Sequence, residues 1–195
     1  MIILLYPNNI KKNYRKKDNH ANRGMNLEAI ITDANEYYIN NDIAYIYKKP
    51  TPIGVVKVNY SNGKKIEEAY FKEQSTLDFN GIYKGFYIEF DAKETKNKTS
   101  FPLSNIHQHQ LNHIKNIYNH FGIVFLIISI NNNYYVLMGK DIIDFIENNS
   151  RKSIPYEYIE KHGYRINYNY LRGLDYLKVI DIILESDESE KIKNN

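Results

Sequence analysis

The eight residues at 123–130, Ile-Val-Phe-Leu-Ile-Ile-Ser-Ile, are almost wholly apolar. A run this short and this rich in β-branched residues reads as a fully buried strand. Helical spacing occurs on both sides of it. The chain therefore predicts an α/β fold, a sheet with helices packed on it.

The rest of the pattern fills in that sheet. Apolar residues at 27, 30, 31, 34, 37 and 38 predict a helix over about 25–41. Short extended segments follow at 44–48, 55–59 and 67–71. Lys49-Pro50-Thr51-Pro52 breaks the first from the second, and Ser61-Asn62-Gly63 joins the second to the third as a hairpin. A projecting ribbon is expected, with Lys57, Lys64 and Lys65 on or near it. A second hairpin, 78–83 and 86–93, turns at Lys84-Gly85. In its second strand Phe86, Ile88, Phe90 and Ala92 share one face, and Tyr87, Glu89, Asp91 and Lys93 share the other. Pro102 suits the first turn of a helix carrying Leu103, Ile106, Gln110, Ile114 and Ile117, which ends near His120-Phe121-Gly122. Asn131-Asn132-Asn133 turns the buried strand into 134–138. Helices are expected at about 140–148, 155–162 and 173–185.

Composition excludes some chemistry. The 195 residues contain no cysteine, so disulfide scaffolds and thiolate metal sites are ruled out. No stretch is long enough to span a bilayer, and the apolar start stops at Pro7 without a basic lead, so it does not read as a signal peptide. The net charge is only +3, but its distribution is uneven. Lys11, Lys12, Arg15, Lys16, Lys17 and Arg23 cluster against Asp18, while Glu185, Asp187, Glu188 and Glu190 crowd the other end. Such runs are ordinarily solvated tails. Most of the 19 tyrosines are expected in the core or on strand faces, with Tyr14 and Tyr83 as candidates for stacking on bases.

The chemically informative residues are Thr76, Asp78, Asp91, Lys93 and Gln110. Asp91 and Lys93 are two apart on a strand, and Asp78 lies across a tight hairpin from them. Two carboxylates and a lysine can thus converge. Cleaving a phosphodiester needs such a set: carboxylates hold a hard divalent cation, and a lysine stabilises charge on the phosphoryl oxygens. Thr76 and Gln110 would add neutral oxygens. The spacing alone is common, and its plain alternative is a solvent-facing strand pair.

A wider likeness narrows the choice. Residues 68–72, 74–85 and 91–103, read as EAYFK, QSTLDFNGIYKG and DAKETKNKTSFPL, resemble the RecU family of Holliday-junction resolvases, as do Asn22-Arg23-Gly24-Met25 and Lys48-Lys49-Pro50-Thr51-Pro52. The resemblance covers about 22–168. It implies a restriction-endonuclease-like mixed β-sheet flanked by helices, with a projecting β-ribbon stalk at about 50–69. It implies a homodimer that makes paired nicks in four-way junctions with Mg²⁺, for which Mn²⁺ can substitute, in the bacterial cytoplasm during recombination and repair. Carried over, the metal ligands are Thr76, Asp78, Asp91 and Gln110, with Asp78, Asp91 and Lys93 catalytic. Arg23, Lys11, Lys12, Arg15, Lys16, Lys17, Lys64 and Lys65 become DNA contacts, and a recombinase is an implied partner. The expected organisation is a basic arm at 1–22, one nuclease domain at 23–186 and a charged tail at 187–195. Two positions depart from pattern: Asp91 stands where the family usually has Glu, and Leu77 where the wider superfamily has Pro. Neither removes a ligand oxygen.

Two other functions remain open on the residues alone, a strand-bridging DNA-binding protein and a restriction-like nuclease of linear duplex. Glu28 is either an accessory acid or a plain helix residue. Glu89 is expected at the surface. His109 and His113 are four apart but lack a third ligand for zinc. His107 and His109 are candidates to touch the scissile phosphate.

Overall fold

A computed structural model describes residues 26–61, 63–72, 76–169 and 172–193, with main chain only beyond 186. The basic arm, Arg23, Tyr14 and Asn62 lie outside the described residues.

The elements in chain order are α1 (Leu27–Asn40), β1 (Tyr45–Lys48), β2 (Ile53–Asn59), β3 (Lys65–Phe71), β4 (Phe79–Tyr83), β5 (Phe86–Glu94) and β6 (Ser100–Pro102). A 3₁₀ turn (Leu103–Asn105) precedes α2 (Gln108–Asn119), β7 (Ile123–Ile130), β8 (Asn133–Met138) and α3 (Gly139–Asn148). Then come β9 (Ser153–Pro155), α4 (Tyr156–His162), β10 (Tyr164–Ile166), β11 (Tyr168–Asn169), β12 (Gly173–Leu174) and α5 (Tyr176–Lys193).

Strand β7 is the centre of the molecule, as its composition requires. Its odd residues Ile123, Phe125 and Ile127 pack with Ile30, Ile31 and Tyr38 of α1 and Tyr176, Leu177 and Ile180 of α5. Its even residues Val124, Leu126 and Ile128 pack with Ile114 and Ile117 of α2, Ile142 and Phe145 of α3 and Ile159 of α4. One strand thus serves two hydrophobic layers, each full side chain contributing about 1.5–3 kcal/mol on burial. The six-stranded sheet runs β1-β4-β5-β7-β8-β10. Only β5 and β7 are parallel, with Asp91 opposite Leu126, and α2 is the crossover between them.

Local chemistry sets the turns. Lys84 and Gly85 adopt φ of 50° and 85°, and Asn131 and Asn132 adopt 50° and 60°. Positive φ at both central residues is the twist that closes a two-residue hairpin. Helix α1 starts where the Asn26 side chain accepts from Glu28 N at 3.1 Å. Strands β2 and β3 pair with each other and with no other strand among those described, forming the expected ribbon. It exposes Val55, Val56, Tyr60, Ile66, Tyr70 and Phe71 alongside Lys57, Lys64 and Lys65.

Three expectations need correction. Pro102 does not open the helix; it ends β6, which pairs with β9, and α2 begins later behind His107. The C-terminal helix does not stop near 185 but continues to Lys193. Tyr83 is no base platform: it is 4% exposed, and its hydroxyl donates to Asp181 at 2.8 Å.

Candidate active site

Strand β5 carries the site because it shows two chemistries to two layers. Ile88 and Phe90 join the core beneath α1 and α5. Glu89, Asp91 and Lys93 emerge on the opposite face, where α2 covers them. Asp91 is 0% exposed and Glu89 1%. The solvent-facing strand pair is therefore not what forms, and Glu89 is not at the surface. Alternation says which residues share a face but not what lies over it.

Around Asp91 the predicted residues meet. Lys93 Nζ lies 2.9 Å from Asp91 Oδ2, and Gln110 Nε2 donates to the same oxygen at 2.7 Å. Gln110 Oε1 accepts from His107 N at 3.2 Å, which fixes its amide across the start of α2. The Asp78 carboxyl lies beside Asp91, within reach to donate to it once protonated. Thr76 is half-buried in the same turn, two residues before Asp78. Glu28 on α1 is ion-paired with Lys48, whose charge also acts on Asp78 and Asp91. His107 and His109 stack at 5.4 Å at the start of α2. Lys64 and Lys65 are exposed on the ribbon.

Glu89 makes a separate polar knot. Its Oε1 accepts from Lys49 Nζ, from Leu77 N at 3.1 Å and from His113 Nε2 at 2.9 Å, and its Oε2 accepts from the Tyr87 hydroxyl. Burial alone would raise its pKa. The bonds from Lys49 and Tyr87, with the charges of Lys49 and His113, outweigh that and hold it below the usual carboxylate range. An ionised carboxylate can only accept, so His113 Nε2 carries the proton. Nothing in the sequence marked Lys49 for this contact. Glu89 was marked only by sharing a face with Asp91.

Burial, then the hydrogen bond and negative charge of Asp91, push the Asp78 carboxyl up to about 7 from its ordinary 3.8, against the pull of Lys93 and Lys48. Folding therefore takes up a proton between those values. That contribution to stability is complete below about pH 3.8 and is lost as pH rises through about 7. With a chelator present, the urea midpoint of the unmodified chain should fall relative to that of Asp78→Asn between about pH 4 and about pH 8. A flat difference, or one of opposite slope, would refute the raised Asp78 pKa.

The same pair fits a hard divalent cation. Asp91 Oδ1 is buried and has no hydrogen-bond partner, although Oδ2 has two. An unsatisfied buried carboxylate oxygen, with a second carboxyl nearby, is costly in isolation and suits a cation. No group of three His, Cys, Asp or Glu is placed to hold a metal among the described residues. The available set is two carboxylates and neutral oxygens.

Comparison with known proteins shows the family of the chain. A family model described as Recombination protein U matches residues 22–182. The Holliday junction resolvase RecU of Bacillus mycoides (strain KBAB4) is 47% identical over 175 residues, covering 86% of this chain and 88% of the relative. That of Staphylococcus aureus (strain JH9) is 49% identical over 178 residues, covering 88% and 85%. The solved Hjc of Archaeoglobus fulgidus, described as a Holliday junction resolvase from an archaeal hyperthermophile, overlays 67% of this chain and 90% of its own at a TM-score of 0.39 and 6% identity, too slight a likeness to argue from. With a family model spanning 22–182 and relatives near half identity over most of their length, this chain belongs to the RecU family.

Proposed function

We propose that this chain is an endonuclease that resolves Holliday junctions by paired nicks during recombination and repair, using Mg²⁺, with Mn²⁺ as a substitute. One observation carries the reading: two carboxylates, a lysine and a glutamine converge on one buried point of β5, with one carboxylate oxygen left unsatisfied. A pure binding module gains nothing from clustered acids beside phosphates.

Asp78 and Asp91 would hold the cation, with Thr76 and Gln110 supplying neutral oxygen; the Gln110 carbonyl has a second lone pair beyond its His107 bond. When bound, the cation polarises the phosphate and acidifies water. Lys93 Nζ, held beside Asp91, supplies a fixed positive charge for the phosphoryl oxygens as negative charge builds on them. Gln110 holds Asp91 Oδ2, which would leave Oδ1 available to a cation. His107 and His109, stacked at the start of α2, are the proposed contacts to the scissile phosphate.

The ribbon of β2 and β3 is the stalk that enters the junction, and Lys64 and Lys65 contact its backbone. The basic residues Lys11, Lys12, Arg15, Lys16, Lys17 and Arg23 add contacts to phosphate without reading sequence. A homodimer would set two equivalent sites about a two-fold axis, matching two equivalent strands. A recombinase is a proposed partner. Among the described residues no helix is long and apolar enough to cross a membrane.

The test compares a synthetic four-way junction with a linear duplex of the same sequence, with and without Mg²⁺, and repeats both after replacing residues 54–66 by a short linker. Symmetric, Mg²⁺-dependent nicks on the junction are expected, with selectivity lost in the linker variant. Equal cutting of linear duplex by the full chain would remove the junction reading in favour of a restriction-like nuclease.

A further inference from the structure

We propose that Glu89 is a positioning residue for this reaction: its buried carboxylate holds the Asp78 turn and the Gln110 helix in register with Asp91. The inference rests on the nuclease reading above and adds a residue to it.

The bonds close a ring around Asp78. Leu77 N, the donor just before Asp78, bonds Glu89 Oε1 at 3.1 Å. Just after it, the Asp78 carbonyl accepts from Lys49 N at 2.7 Å. Lys49 then closes the ring through its own side chain, whose Nζ donates to the same Glu89 oxygen. The main chain of Asp78 is thus pinned on both sides by one carboxylate and one lysine, so its backbone cannot shift away from Asp91 without breaking one of these bonds.

The second constraint acts on α2. Asp91 bonds Gln110 at 2.7 Å and Glu89 bonds His113 at 2.9 Å. The two acids are two residues apart on the strand, about 6.7 Å, and their partners three apart on the helix, about 4.5 Å along its axis. One rung would let the helix pivot; two fix its rotation and its height. Tyr87 donates to Glu89 Oε2, so the carboxylate is held from its far side as well.

A buried ion pair is weak evidence for stability, since apolar replacement is often tolerated. What the carboxylate adds here is acceptors pointing at three separate elements. Glu89→Met keeps the volume and deletes the acceptors. We expect this variant to fold, with kcat for junction nicking at saturating Mg²⁺ reduced about 10- to 100-fold by the misplaced carboxyl. Its Mg²⁺ midpoint should rise, and its junction affinity in chelator should stay unchanged. In the DNA-free, chelated full chain, backbone amide exchange of the peptide covering 76–80 should accelerate while that covering β7 stays protected.

His113→Leu, which removes one rung only, should give a smaller kcat loss with faster exchange in α2 rather than at 76–80; it carries the test should Glu89→Met not fold. A lowered melting temperature with wild-type kcat and wild-type exchange at 76–80 would make Glu89 a purely structural residue and overturn the inference. An unmodified chain that leaves the junction intact in the same assay would overturn instead the nuclease reading beneath it, and the exchange data would still report whether Glu89 holds the turn.

Discussion

Lys93→Ala should slow junction nicking by about 10²- to 10³-fold while leaving junction affinity in chelator within about twofold, because a fixed charge aimed at the transition state is lost and little ground-state binding goes with it. The structure gives Lys93 no competing duty. Its Nζ contacts Asp91 Oδ2 at 2.9 Å, and its side chain is 18% exposed, so it is screened from bulk water yet open to a substrate. Asp91 would keep its Gln110 bond in the variant, so the fold should survive. Lys93→Arg should rescue little, since a planar guanidinium cannot occupy the point position of an ammonium beside a buried carboxylate. Asp78→Asn should be as slow or slower, and its loss should persist at high Mg²⁺ if the carboxylate is a ligand. A Lys93→Ala rate within about threefold of the unmodified chain would exclude the role, because one such stabiliser is ordinarily worth far more.

Phe90→Ala should be the most damaging single truncation in the core. Phe90 is 0% exposed and stacks on Phe79 at 5.0 Å and on Phe125 at 4.7 Å, with Tyr176 tilted against it at 5.0 Å. Three strands, β4, β5 and β7, meet through those rings, and α5 closes over them. Truncation of a buried Phe costs about 3–5 kcal/mol. Domains of this kind hold about 5–15 kcal/mol in all, so about a fifth or more of the stability is at stake. Urea denaturation against Ile182→Ala, a position 52% exposed, gives the comparison. A Phe90→Ala midpoint no lower than that of Ile182→Ala would mean the stack carries no weight. The expected loss also bears on the site, since Phe90 lies between Glu89 and Asp91 and its packing locks the strand that presents both.

Much of the framework is legible in residues close together in the chain. The double-sided apolar run at 123–130 demanded a central strand, and β7 is that strand, with a hydrophobic layer on each face. Turn chemistry at Lys84-Gly85 and Asn131-Asn132 placed both main-sheet hairpins because positive φ is a local requirement. The resemblance carried Asp78, Asp91, Lys93 and Gln110, and the structure does bring those four together. Local signals failed where a residue's role depended on a distant partner. Pro102 looked like a helix start, but its segment pairs with β9 some fifty residues on.

By itself, then, the sequence determined which side chains of β5 share a face, since a period of two is built into an extended backbone. Only the tertiary structure decided that this polar face lies beneath α2 instead of in water. The cover comes from elsewhere in the chain: His113 and Gln110 from α2, Lys49 from beyond β1 and Leu77 from the turn before β4. Alternation sets direction and carries no information about what approaches from outside. Burial, and with it the raised pKa of Asp78 and the bonding of Glu89, follows from that approach.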